Sequence, residues 1–221
     1  MISEHDLRKI YLLKDLPERE LSNLVPLLRE RHARRGSYIL YVDDPGPSLL
    51  FIAEGEVKIN LIGEDGKEIV LANLEEGEFF GEIAVLAGVD RSANVVAMSD
   101  CRLFVLSKED FEKHILGNTG FALAMLRELA LRLRHASSKI GDLALLDVYR
   151  RVARTLQSLG QVQELNHERC YVIEKRPTHQ ELAALVGTSR EMVTRALKDL
   201  EADGCITLEG RNRVVLKRLP Q

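Results

Sequence analysis

Cysteine is scarce in this sequence and never paired. Cys101, Cys170 and Cys205 are odd in number, far apart and without a Cys-x-x-Cys spacing. That argues against a disulfide framework and a cysteine metal cluster, and fits a reducing, cytoplasmic setting. Long hydrophobic runs are missing too. None approaches the ~18 consecutive apolar residues of a membrane span, so no membrane partner is expected. The opening residues, Met1-Ile2-Ser3-Glu4-His5-Asp6, are too polar and acidic for a secretory signal. His5, His32, His114, His135, His167 and His179 share no ligand spacing. Each reads as surface or structural, and no metal site is expected. No paired catalytic constellation stands out, so no enzyme is predicted and no catalytic residue is assigned.

What is present is ordinary in amount and uneven in place. The 221 residues are 45% hydrophobic and 29% charged, with a net charge of −3, which suits one large or two small soluble domains. From Asp147 onward 13 Lys and Arg stand against 10 Asp and Glu, about +3, which leaves 18 against 24, about −6, before it. A basic C-terminal part behind an acidic N-terminal part points to a polyanion partner at one end.

No proline interrupts residues 118–146, and there Ala122, Leu126, Leu129, Leu133, Ala136, Ile140 and Leu143 follow spacings of 4, 3, 4, 3, 4 and 3. This is a heptad seam on a helix of roughly 40 Å. Arg127, Glu128, Arg132 and Arg134 crowd the helix off the seam. A helix with one narrow seam pairs with its own copy, which predicts a homodimer; the alternative is a long core helix within one domain. The predicted organisation is α+β: a β-rich domain over 1–117, the dimerisation helix and hinge over 118–146, and a third part over 147–221.

Ser3 with Asp6 predicts a capped helix, and a second short helix opens at Leu16-Pro17-Glu18 and ends near Arg31. The period then becomes that of strands, at Ser37–Val42, Leu49–Ala53, Val57–Ile62, Glu68–Ala72, Arg91–Val96 and Cys101–Leu106, with Gly/Asp turns between them. Short strands at this spacing predict a sandwich or a jelly-roll barrel. Ser107–Asp110 caps a helix over Phe111–Leu116.

One insertion breaks the strand pattern. In Gly77-Glu78-Phe79-Phe80-Gly81-Glu82-Ile83-Ala84-Val85-Leu86-Ala87-Gly88, glycines bracket a short helical turn, and Arg91-Ser92-Ala93 follows. First-turn N–H groups attract an anion, and Arg91 can hold a phosphate through two parallel hydrogen bonds. Ser92 can bond a phosphate oxygen, whereas Glu82 suits a sugar hydroxyl. Together they describe a site for a ribose plus a phosphate. The same spacing also fits a capped turn beside a surface Arg–Glu pair.

Past Leu146, Asp147 is an N-cap for a helix over Val148–Gln157 that closes at Gly160. Gln161–Arg169 reads as a loop and Cys170–Ile173 as a strand. Thr178 and Glu181 then form a capping box, Gly187 sits at a tight turn, Ala183 permits close helix approach and Val193 plugs the gap, which is helix-turn-helix spacing. In the second helix Val193, Ala196, Leu197 and Leu200 face inward, while Arg190, Glu191, Thr194, Arg195 and Lys198 face outward. Such a face suits a major groove, Arg reading guanine and Glu accepting from cytosine N4. Strands over Cys205–Leu208 and Arg213–Lys217 flank Glu209-Gly210-Arg211-Asn212, a two-stranded wing with a basic tip.

Phe80-Gly81-Glu82-Ile83-Ala84 with Arg91-Ser92-Ala93 resembles the phosphate-binding cassette of cyclic-nucleotide-binding domains. Over nearly the whole chain, the order barrel, cassette, long helix and winged helix-turn-helix resembles the bacterial cyclic-AMP receptor and fumarate-nitrate regulator superfamily. The resemblance implies that Glu82 binds a ribose 2′-hydroxyl, that Arg91 and Ser92 bind the cyclic phosphate, and that Gly81, Ile83 and Ala84 give backbone contacts. It places Arg132 near the ligand and the cassette glutamate. It places Ser137 at a base-reading position, with Ala136 where the family has a threonine. Thr178, Ser189, Arg190, Glu191, Thr194, Arg195, Lys198 and Arg211 are the expected DNA contacts. The implied function is a homodimeric regulator of transcription, gated by cyclic AMP or another cyclic nucleotide, on a palindrome of TGTGA-like half-sites in double-stranded DNA, with RNA polymerase as a further partner. Two alternatives stay open, the first because Ala136 lacks the hydroxyl that would read a base. One is the same dimer acting without cyclic AMP, constitutively or with cyclic di-GMP. The other is a nucleotide-binding module that acts on a protein.

Overall fold

In the computed structural model, which describes residues 2–114, 118–165, 168–210 and 212–220, Ser3 opens the first helix, α1 (Glu4–Arg8). Its hydroxyl accepts from the Asp6 N–H at 3.2 Å, and the Asp6 carboxylate accepts from the Ser3 N–H at 2.9 Å. A second helix, α2 (Glu18–Leu24), leads into a 3-10 turn at Val25–Leu27. It does not reach Arg31 as the sequence predicts. Pro26 cannot supply the N–H that an α-helix needs, and Arg29–Ala33 is a strand, β1. Four of its five side chains are exposed, so it has no alternating apolar signal. Its pairing with β8 (Cys101–Ser107) is what makes it a strand.

Between these two run β2 (Tyr38–Leu40), β3 (Ser48–Glu54), β4 (Val57–Ile62), β5 (Glu68–Leu74), β6 (Phe79–Phe80) and β7 (Asn94–Ala97). They form two four-stranded sheets, β1-β8-β3-β6 and β2-β7-β4-β5, the expected sandwich. Side chains alternate across β3. Leu50 and Ile52 join Ile39, Val57, Phe80 and Val95 in one cluster. Leu49 and Phe51 face the other way and join Leu7, Leu21, Phe104, Phe111, Phe121 and Met125. That second cluster ties α1, α2, α4 (Lys108–His114) and the start of α5 (Thr119–Leu145) to the sheet. Phe111 and Phe121 meet edge to face at 5.9 Å. Each fully buried Phe or Leu contributes about 1.5–3 kcal/mol. The end of the helix predicted after Phe111, at Ile115-Leu116, lies outside the described residues.

α5 is one helix of 27 residues, but only its start is core. Phe121 and Met125 are buried, whereas Leu126, Leu133 and Ile140 on the heptad seam are 63%, 69% and 66% exposed. A helix wholly inside one core would bury that seam, whereas here its own chain covers little more than the first two turns. The chain divides within this helix into two compact units, Met1–Leu61 with Val70–Leu133, and Ile62–Ile69 with Arg134–Gln221.

In the second unit Asp147 caps α6 (Val148–Leu159), accepting from the Arg150 N–H at 2.8 Å. Gly160 ends that helix, though not by a left-handed turn: its φ and ψ are −85° and 143°. Glycine is needed there because a Cβ would lie 2.7 Å from the Cβ of Tyr171. The segment predicted as a loop is instead a hairpin, β9 (Gln161–Leu165) with β10 (Glu168–Ile173). Its residues are polar, and backbone pairing supplies what the side-chain pattern does not show. After α7 (His179–Val186) and α8 (Arg190–Ala202), the wing strands β11 (Ile206–Glu209) and β12 (Arg213–Leu216) continue onto this hairpin. The wing is therefore half of a four-stranded sheet, β11-β12-β10-β9. Val152, Leu156, Leu182, Val193, Leu197, Leu200 and Val214 form the core.

Candidate functional site

β6 runs into Gly81, whose φ of +85° turns the chain into α3 (Glu82–Ala87). Only glycine fits this position. A Cβ there would lie 2.6 Å from Arg91 Nη1 and 2.7 Å from the Ser48 carbonyl oxygen. No side chain caps α3. Ala84 is buried on its inner face, and Ile83 and Leu86 are exposed.

Arg91 is 4% exposed, which rules out a surface Arg–Glu pair. Its Nη1 donates to the carbonyl oxygens of Ser48 at 3.0 Å and Gly81 at 3.2 Å. Its Nη2 donates to the Gly46 carbonyl at 2.7 Å and to Ser48 Oγ at 2.9 Å. The guanidinium thus joins β3, the loop ahead of it and the cassette turn. Burial pulls its pKa down from the ordinary arginine value, and the charges of Asp44 and Glu82 oppose that. Neutral carbonyls are weaker partners for a guanidinium than a phosphate. Ser92, the next residue, is exposed.

Glu82 is 8% exposed and accepts from Arg132 Nη1 at 3.0 Å. Arg132 Nη2 donates to the Phe79 carbonyl at 2.7 Å, its Nε donates to Glu128 at 3.3 Å, and its Cζ lies over the Phe79 ring, 4.3 Å from the centroid. One arginine of α5 therefore grips both the strand and the helix of the cassette. On its other side a cavity of about 350 Å³ is lined by Tyr11, Glu75, Glu78 and Glu128 among others. Burial pushes the Glu78 carboxyl up from its usual range; the Glu75 N–H and Arg132 oppose this, and Glu128 adds to it. Ser137 and Ala136 are exposed on α5 and belong to the second unit.

The sequence reading found Glu82, Arg91 and Arg132 but missed the groups that hold them: Gly46, Ser48 and the Phe79 carbonyl. Ser48 lies 43 positions from Arg91, a separation at which no spacing pattern operates.

In the second unit Thr178 and Glu181 close the predicted capping box of α7. Gly187 is left-handed, and Ser189 caps α8 by accepting from the Met192 N–H at 3.3 Å. Ala183 and Val193 are buried where the two helices meet. On α8, Arg190, Glu191, Arg195 and Lys198 are exposed and Thr194 is half-buried, opposite buried Val193, Ala196, Leu197 and Leu200. The structure therefore brings the predicted readers onto one face. Hydrogen bonds from its own backbone and from Ser189 hold the Glu191 carboxyl below the usual range, with burial opposing them and Arg190 adding to them, so it stays an acceptor at neutral pH. Arg211 lies outside the described residues. Among those described, no group of three His, Cys, Asp or Glu is placed to hold a metal ion, and no helix is long and apolar enough to cross a membrane.

Comparison with known proteins assigns both units. Residues 30–118 match the cyclic nucleotide-binding domain and residues 150–221 the Crp-like helix-turn-helix domain. The chain is 37% identical over 204 residues to the cAMP-activated global transcriptional regulator Vfr of Pseudomonas aeruginosa, covering 89% of this chain and 94% of that protein. It is 35% identical over 181 residues to the cAMP-activated global transcriptional regulator CRP of Escherichia coli O157:H7, covering 81% and 85%. Among solved structures it is similar to the c-di-GMP responsive global regulator CLP of Xanthomonas campestris. The TM-score is 0.75 at 30% identity, over 91% of this chain and 100% of that one.

Proposed function

Because the chain belongs to the cyclic-AMP receptor and fumarate-nitrate regulator (CRP/FNR) family of DNA-binding transcription regulators, we propose that it is a homodimer whose grip on palindromic DNA is set by a cyclic nucleotide, cyclic AMP first. The observation that carries this reading is the cassette: buried Arg91 aimed past Gly81, with Glu82 held by Arg132 of α5. Arg91 and Ser92 take the cyclic phosphate, with backbone contacts from Gly81, Ile83 and Ala84, and Glu82 takes the ribose hydroxyl. Arg132 reports occupancy to α5, and Ser137 meets the base. The exposed seam at Leu126, Leu133 and Ile140 is the surface a second copy covers. The working division is 1–117 for ligand, 118–146 for dimerisation and 147–221 for DNA. Ligand favours the arrangement that sets the recognition helices about one DNA turn apart, and it shifts that equilibrium only by its difference in affinity for the two states. The target is a pair of TGTGA-like half-sites, with Arg190, Glu191 and Arg195 reading bases and Thr178, Ser189, Thr194, Lys198 and Arg211 along the groove and backbone. The setting is the cytoplasm, RNA polymerase is the further partner, and the chain performs no catalysis.

Ala136, which has no hydroxyl for a base, and the similarity to a c-di-GMP responsive regulator favour a second reading in which the effector is cyclic di-GMP. Calorimetric titration of nucleotide-stripped protein with cyclic AMP, cyclic GMP and cyclic di-GMP separates the two. Cyclic AMP binding at micromolar concentrations, lost in Arg91→Ala, is the expected result. Binding of cyclic di-GMP alone would select the second reading. Binding of none of the three would remove the cassette assignment.

A further inference from the structure

His179 stands at the first turn of α7, immediately after the Thr178 cap. Its Nδ1 lies 2.8 Å from Thr194 Oγ1 on α8, so a side-chain bond joins the two helices of the motif. The same hydroxyl bonds the Arg190 carbonyl oxygen at 2.9 Å. A carbonyl only accepts, so the single hydroxyl proton goes to Arg190, and Thr194 must accept from the ring. This sets the tautomer: Nδ1 carries a hydrogen, and Nε2 of the neutral ring is left with a lone pair.

The charges acting on that ring are cationic. They are Arg176, in the segment ahead of α7, and Arg190, on α8. Glu181, the carboxylate on its own helix, is turned into the capping box with Thr178. Burial, and then these two arginines, hold the His179 pKa below its ordinary value. The ring is thus neutral when the protein is free at neutral pH. Yet it sits between the N-terminus of α7, which favours anions, and Thr194, which lies amid the exposed Arg190, Glu191, Arg195 and Lys198. A neutral Nε2 lone pair repels a phosphate oxygen, whereas a protonated Nε2 donates to it.

We propose that His179 is a proton-linked contact to the DNA phosphate backbone, in which Thr194 holds Nδ1 and binding of the duplex takes up a proton at Nε2. This rests on the DNA-binding reading above. The sign follows from linkage. DNA favours the protonated ring, so affinity falls as pH rises, over the interval between the lowered His179 pKa of the free protein and the higher one in the complex. Below both values and above both, this contribution is flat.

The test is fluorescence anisotropy of the full chain at saturating cyclic nucleotide and low salt, from about pH 5.5 to about pH 8.5, a range that brackets an ordinary histidine. Two duplexes of equal length are compared, one with paired TGTGA half-sites and one without. Affinity for both is expected to fall with rising pH, by about tenfold per His179 for each unit by which DNA raises its pKa. His179→Asn keeps a donor toward Thr194 but has no titrating nitrogen, and its profile is expected to be flat. Calorimetry in two buffers of different ionisation enthalpy should show proton uptake for the wild type and none for His179→Asn. A pH-independent wild type, or a slope that survives in His179→Asn, would overturn the proposal while leaving the DNA-binding reading intact. A wild type that binds neither duplex at any pH would overturn both.

Discussion

The cassette turn and α8 both carry arginines, and they hold them in opposite ways. Arg91 is buried and spends its donors on three carbonyls and a hydroxyl of its own chain. Arg190 and Arg195 stand exposed on α8. A buried guanidinium is oriented before ligand arrives, so little side-chain entropy remains to be lost on binding. It is also part of the fold, because removing it takes the partner from four part-buried acceptors. An exposed arginine keeps its rotamer freedom in the free chain, and its removal is expected to leave the fold untouched. On the proposed reading, one site therefore couples binding to stability, and the other keeps them separate.

The sharpest way to break this contrast is Gly81→Ala. The left-handed backbone and the contacts of 2.6 Å and 2.7 Å to Arg91 and Ser48 combine backbone strain with overpacking. A loss of about 2–4 kcal/mol is expected in denaturant melts, together with loss of nucleotide binding. An unchanged melt would show that the turn is not held by Arg91. Next in size, Arg195→Ala is expected to cost about 1–3 kcal/mol of discrimination at one base pair of each half-site, read by competition among duplexes substituted at single positions. Its melt should match the wild type. A sequence preference that survives intact would remove Arg195 from the readers. Smallest is Lys198→Ala, with a change of about 0.5 kcal/mol or less in stability. The slope of log affinity against log salt should shrink by about one for each phosphate that the variant no longer neutralises.

Much of both regions was legible in the sequence, for a common reason. The capping boxes at Ser3 and Thr178, the cap at Asp147 and the inward face of α8 all depend on residues within about four positions of one another, where spacing reports geometry. Glu82 and Arg91 are singled out by the glycine-bracketed turn and the strand that follows it. The errors share a cause too. β1 and β9 are polar and exposed, and the hydrogen bonds that define them come from strands β8 and β10. Gly160 closes α6 as expected, but the reason a glycine stands there is its close approach to Tyr171, which no local pattern encodes.

His179 marks the boundary between the two kinds of knowledge. By itself it is one of six scattered histidines, and nothing within its own turn sets it apart. Only the packing of α7 on α8 brings Thr194, 15 positions away, to its Nδ1 and thereby chooses its tautomer. Likewise the sequence alone determined the heptad seam, the cassette and the helix-turn-helix, because each is a periodicity or a short-range cap. The tertiary structure decided that Arg91 is buried on the carbonyls of Gly46, Ser48 and Gly81, that Arg132 clasps Glu82 and Phe79, and that most of the seam is left uncovered by its own chain. Those facts depend on long-range packing, where the desolvation of a charge is settled by residues far away in the chain.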